Sequence, residues 1–101
     1  MRQQILYVDE EPRPRDYIDN LPDSEAANID HRLEVMSDTP PHSWPWVKHI
    51  SDKVWELKSG PHRLFYCLHN RDIVVLHAVR KRGRRLNRRD IELALSRCEG
   101  L

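Results

Sequence analysis

The 101-residue sequence predicts an α+β fold with helices packed on a mostly antiparallel sheet. Three observations carry this. Apolar residues recur at helical spacing over 23–36 and again over 91–98. Three runs rich in strand formers lie between residues 54 and 79. The turns between those runs are short, and short turns join antiparallel neighbours. The expected order is β-α-α-β-β-β-α in a single domain over residues 1–101, with the first two helices forming a hairpin.

Ile5 to Asp9 is a short apolar run suited to a strand. Pro12 and Pro14 then break the pattern, since each removes a donor and fixes φ. Pro14 is placed to open a helix over Arg15–Leu21, where Tyr17, Ile18 and Leu21 share a face. Pro22 ends that helix and starts the next. Over Asp23–Met36, Ala26, Ile29, Leu33 and Met36 form one apolar stripe, and Asp23 and Glu25 sit in the first turn, where the helix dipole favours negative charge. Asp38 to Trp46 reads as a loop because of Pro40, Pro41 and Pro45. Val54–Lys58 alternates, with Trp55 and Leu57 on one face. Ser59-Gly60-Pro61 is a turn, Arg63–Leu68 a strand, and His69–Asp72 a second turn. Ile73–Val79 is nearly all apolar, as a central strand buried on both faces would be. Asn87 is placed to cap a last helix, with Asp90 three residues on as a weak capping box. Ile91, Ala94, Leu95 and Cys98 make its apolar stripe, and Gly100 its stop.

Composition excludes several classes. No apolar run approaches the roughly 18–20 residues that span a bilayer, so no membrane partner is expected. The apolar stretch near the start is too short for a secretion signal and lacks a small-residue cleavage site, which points to the cytoplasm. Cys67 and Cys98 form no C-x-x-C pair and read as reduced, half-buried thiols. No spacing among the six histidines and two cysteines fits a zinc site, so no metal is expected. Trp44, Trp46 and Trp55 suit either a base-stacking platform or a plug at the edge of a small core.

The net charge of +1 hides a division. Residues 1–52 hold five basic and eleven acidic side chains, and residues 53–101 hold twelve basic and five acidic, giving −6 and +7. Seven of the ten residues in 80–89 are basic and none is acidic: Arg80, Lys81, Arg82, Arg84, Arg85, Arg88 and Arg89. Such a run repels itself unless an anion shares the site. Arginine predominates, and its fork suits phosphate oxygens. The basic residues are also on the wrong side of a helix start for the dipole, so local stability did not select them. A nucleic-acid backbone is the expected partner; the plainer alternative is a solvated loop.

Four segments together resemble a known family: Lys53-Val54-Trp55-Glu56-Leu57-Lys58, Gly60-Pro61-His62-Arg63-Leu64-Phe65-Tyr66, Ile73-Val74-Val75-Leu76-His77-Ala78-Val79-Arg80-Lys81, and Arg88-Arg89-Asp90-Ile91-Glu92. With Val47-Lys48-His49-Ile50 upstream, they resemble the HigB-like, phage-derived host-killer-like branch of the RelE/ParE toxins over about residues 14–98. The resemblance implies a RelE-like domain that is the toxin of a type II toxin–antitoxin system. Its implied activity is that of a ribosome-dependent endoribonuclease without cofactor or metal, cutting mRNA in the ribosomal A site and thereby inhibiting translation. The implied partners are the ribosome, mRNA and a cognate antitoxin of helix-turn-helix type. In that chemistry the ribose 2′-OH attacks the adjacent phosphate, and arginines stabilise the charge that builds.

Carried over residue by residue, Arg63 is the first choice for a phosphate clamp, with a surface ion pair as its alternative. Lys58 stands where the family has arginine, keeping the charge and losing the fork. Lys81, with Arg80 and Arg82 beside it, is expected at the scissile phosphate. Arg84, Arg85, Arg88 and Lys48 complete the expected RNA contacts. His77 is the candidate proton-transfer group, with a satisfied core histidine as the alternative. Glu56 serves as base only if it faces the same groove; a strand glutamate ordinarily faces solvent. Some relatives carry a tyrosine or histidine near the C-terminus, whereas this chain offers Arg97, Cys98 and Glu99, which leaves the general acid and base unassigned. Two other functions fit the same fold: a ParE-like inhibitor of DNA gyrase, or a non-catalytic module that binds nucleic acid or antitoxin.

Overall fold

A computed structural model describes residues 2–40 and 42–101. Pro41, part of the expected proline loop, lies outside the described residues. The elements in order are β1 (Ile5–Tyr7), α1 (Pro14–Asp19), α2 (Asp23–Asp38), β2 (Val47–Ser51), β3 (Val54–Ser59), β4 (His62–His69), β5 (Asp72–Arg80) and α3 (Arg88–Glu99). The α+β class, the helical pair and the terminal helix are as the sequence predicts. The order contains one strand more than expected, β2. Its residues Val-Lys-His-Ile-Ser are half polar, and its pairing with β3 is interrupted between His49 and Ser51, so no clean alternation marks it in the sequence. The first helix also stops two residues before Leu21, and the second runs two residues past Met36.

The five strands lie in the order β1-β5-β4-β3-β2. β3 to β5 form the expected antiparallel meander, and β2 extends it as a further antiparallel strand beside β3. β1 pairs in parallel with β5, Ile5 opposite Ile73, so α1 and α2 belong to a crossover that lies on one face of the sheet. That face buries Ile18, Ile29, Leu33 and Met36 of the helices against Leu57, Leu64, Tyr66, Ile73 and Val75. The other face packs Val54, Phe65, Cys67, Val74 and Leu76 beneath Ala94, Ile91 and Leu95 of α3. The sheet therefore has a hairpin side and an α3 side.

Burial of sixteen apolar residues drives this arrangement, and polar groups fix its details. Arg15 joins α1 to α2 through Asp30 at 2.8 Å. His62 of β4 is buried between Tyr17 of α1 and Glu25 of α2, with both ring nitrogens 2.7 Å from their partners. Arg97 of α3, 6% exposed, donates to the carbonyls of Glu10, Glu11, Pro12 and Leu76 at 2.8–3.0 Å. Trp44, Trp46 and Trp55 are half-buried against the hairpin-side core, Trp44 stacked on Trp46 and Trp55 beneath His42. They plug the core edge, as the plainer sequence reading had it. Both cysteines are free, and burial pushes the Cys67 thiol up to about 12.

Candidate nucleic-acid interface

β5 ends at Arg80, and α3 starts at Arg88. The loop between them is held at both ends. The Lys81 N–H donates to the Pro61 carbonyl at 2.8 Å, prolonging the ladder to β4 by one bond. At the far end the Asn87 side chain accepts from the Arg89 N–H at 2.8 Å, which is the N-cap the sequence predicts. Gly83 turns the chain between them at φ +72°, a conformation side chains disfavour. Leu86 tucks against the α3-side core.

This loop, the end of β5 and the first turn of α3 enclose a cleft of about 420 Å³ lined by Val79, Arg80, Lys81, Arg82, Arg85, Leu86, Asn87 and Asp90. Four of its eight lining residues are cationic and one is anionic. Arg84 and Arg88 are exposed and lie outside the lining. Among the described residues, the ion pair made by the basic run is Arg88 to Glu92 at 3.2 Å. The rest of its charge is presented without a carboxylate partner within ion-pair range. A larger cavity, about 670 Å³, opens at the other end of β5 between Arg2, Ser37, Asp38, Arg71 and Asp72, and contains none of the expected site residues.

Cross-strand register sets which residues share the cleft's side of the sheet. Lys58, Arg63 and Val79 stand in one row across β3, β4 and β5. Lys48, Glu56, Phe65 and His77 stand in the next. Phe65 and Val79 belong to the α3-side core, so both rows face α3. Val79 also lines the cleft, which places Arg63 one strand away from the cleft wall. Arg63 itself is outside the lining. Its side chain is 12% exposed, and its Nη1 donates to the carbonyls of Gly60 and His62 at 2.7 and 2.9 Å. Its Nε is buried without a hydrogen bond, 3.9 Å from Glu56 Oε1.

Glu56 departs from the ordinary strand reading. It is 2% exposed, not solvent-facing, and its Oε2 has no hydrogen-bond partner among the described residues. The reason is its place on the α3 side, between Lys48 and Phe65. Lys48 is exposed on the outer strand of that face, two strands from Arg63. Arg80 faces the hairpin side by register, opposite His62, and contributes to the cleft from its rim. Its charge acts on Tyr17, whose hydroxyl is nevertheless held above its ordinary range by burial.

His77 reaches the α3 side because of an irregularity. Phe65 faces His77 while Tyr66 faces Val75, so Leu76 is an extra residue in β5. Ile73 and Val75 point to the hairpin side; after the bulge Ala78 does so, and His77 and Val79 turn to α3. Strict alternation would have sent His77 the other way. The ring is 4% exposed and lies parallel to Phe65, with centroids 6.2 Å apart. Its Nε2 is 2.8 Å from Asp90 Oδ1, and its Nδ1 is buried without a partner among the described residues. Asp90, read in the sequence as part of a capping box, is instead turned to His77. The signal that could have found it is its place as the first carboxylate after seventeen residues without one. Among the described residues, no group of three or more His, Cys, Asp or Glu is arranged to hold a metal ion. No helix there is long and apolar enough to cross a membrane.

A five-stranded sheet held between a helical hairpin and a single C-terminal helix is an α+β domain of RelE-like architecture, with a basic cleft at its last strand–helix junction. Residues 16–99 match the family described as phage derived protein Gp49-like (DUF891), and the chain belongs to that family, a RelE/HigB-type toxin-like family of toxin–antitoxin systems. Membership implies an antitoxin partner. No curated protein matches the chain.

Proposed function

We propose that the chain, as one domain over 1–101, is the toxin of a type II toxin–antitoxin system of the HigB-like branch. It acts as an endoribonuclease that cuts mRNA in the ribosomal A site and so stops translation. The observation that carries this reading is the predominantly basic cleft at the end of β5, adjoining a sheet face that carries Lys58 and Arg63. Guanidinium and ammonium donors around a cavity of this size suit a ribose-phosphate chain. Fixed donors there stabilise the charge that builds on the phosphate oxygens as the 2′-OH attacks, and the step needs no metal ion. Lys81, Arg82 and Arg85 grip the phosphate, Arg80, Arg84, Arg88 and Lys48 extend the track, and Arg63 and Lys58 support it from the sheet. A cognate antitoxin of helix-turn-helix type holds the toxin inactive in the cytoplasm.

The test is a brief expression pulse with mapping of cellular transcripts. Growth arrest with cuts inside translated codons is the expected result. Replication arrest with intact mRNA would instead mark a gyrase inhibitor of ParE type, and unimpeded growth a non-catalytic binding module.

A further inference from the structure

Attack by a ribose 2′-oxygen requires a group that accepts its proton. Arginine and lysine are donors, and they dominate the cleft lining. The Asn87 side-chain oxygen is already occupied as the helix cap. Glu56, a carboxylate on this sheet face, is buried and outside the lining. The one anionic acceptor left in the lining is Asp90.

We propose that Asp90 accepts the 2′-OH proton and that His77 is its buried positioning residue, an inference that rests on the cleft being an RNA-cleaving site. Three features support it. The carboxylate stands in the first turn of α3, where the helix dipole stabilises negative charge, yet it serves no cap. His77 Nε2–H donates to its Oδ1 at 2.8 Å, which fixes the carboxylate's orientation. The side chain is 28% exposed and lines the cleft. The ring behind it is closed off. The other ring nitrogen, Nδ1, is buried with no partner among the described residues, so His77 meets the cleft through Asp90 and acts as its positioning residue.

The step balances. The 2′-O–H bond breaks and its proton goes to the Asp90 carboxylate. The oxygen's electron pair forms a bond to phosphorus as the P–O5′ bond breaks. The departing O5′ takes a proton from water, and Asp90 later returns its own to solvent. The products are a 2′,3′-cyclic phosphate and a 5′-hydroxyl.

The experiment is single-turnover cleavage of a short mRNA on programmed ribosomes, using wild type, Asp90→Asn and Asp90→Glu, with mRNA binding measured in parallel. Asp90→Asn should slow cleavage by about 10²–10⁴-fold while binding the same mRNA at least as tightly as wild type. Asp90→Glu, which keeps a carboxylate, should restore part of the rate. An active Asp90→Asn protein, or an Asp90→Glu protein no faster than Asp90→Asn, would overturn this inference alone. Wild type that leaves the mRNA uncut would overturn the RNA-cleaving reading and this inference with it.

Discussion

At the residue scale, two arginines with similar burial have different work. Arg97 is a structural tie. Its guanidinium lies between α3 and the Glu10–Pro12 segment, donating to four carbonyls and to no carboxylate. The bond to Leu76 is buried and the other three are part-buried, so removing the fork strands the Leu76 carbonyl and unties the Glu10–Pro12 segment from α3 at once. Arg97→Met should cost about 3 kcal/mol, which in a domain of this size lowers Tm by roughly 15 °C by calorimetry. Arg97→Lys should recover only part, because a point charge cannot reach both sides of the fork. Arg63 is less committed. One of its terminal nitrogens is tied to the turn at Gly60 and His62, while its Nε is left beside Glu56 without a hydrogen bond. Arg63→Ala should therefore relieve growth arrest while leaving a folded protein, seen as an unchanged far-ultraviolet CD spectrum. Full toxicity from the folded variant would remove Arg63 from the mechanism.

At the element scale, the loop before β2 docks on the sheet through His42, which stacks on Trp55 at 3.7 Å and meets the Tyr66 hydroxyl at 3.0 Å. Desolvation, and then the neighbouring His49, hold His42 below its ordinary value of 6.5. The folded state thus favours the neutral ring. Its contribution to stability is complete above 6.5 and is lost as pH falls through the lower folded value. Wild type should lose more Tm between pH 7.5 and 5.5 than His42→Phe, which keeps the stack and cannot titrate. Equal losses would show that the stack is indifferent to protonation. Legibility also divides by element. α2, β5 and α3 were readable because each buries an apolar stripe of the period its backbone dictates. β2 was not, because as an outer strand it buries too little for its pattern to stand out. The basic cleft was legible as a run of charge. The partnership of His77 with Asp90 was hidden, since it depends on one extra residue at Leu76 that reverses the strand's alternation.

At the scale of the whole molecule, seven of the eleven acidic side chains in the −6 half of the sequence belong to α1 and α2, whereas the +7 half holds the basic run at 80–89. The acidic side chains of α1 and α2 lie on the hairpin side, and the loop at 81–87 opens at the β5–α3 junction on the other. Such a molecule should meet a polyanion in one orientation, with the acidic hairpin turned away. If about four phosphates of single-stranded RNA enter the basic track, log Kd against log salt should have a slope near 3, and affinity should drop by about 60-fold from 50 to 200 mM. Replacing Arg82 and Arg85 with Gln should remove roughly 1.4 from that slope, because each lost contact ceases to release counterions. Replacing Asp16 and Asp19 on the hairpin with Asn should leave the slope unchanged, since those carboxylates lie outside the cleft. Fluorescence anisotropy with a short labelled RNA separates the cases. An equal change of slope in both double variants would mean that binding senses net charge alone, and the cleft would lose its standing as the RNA track.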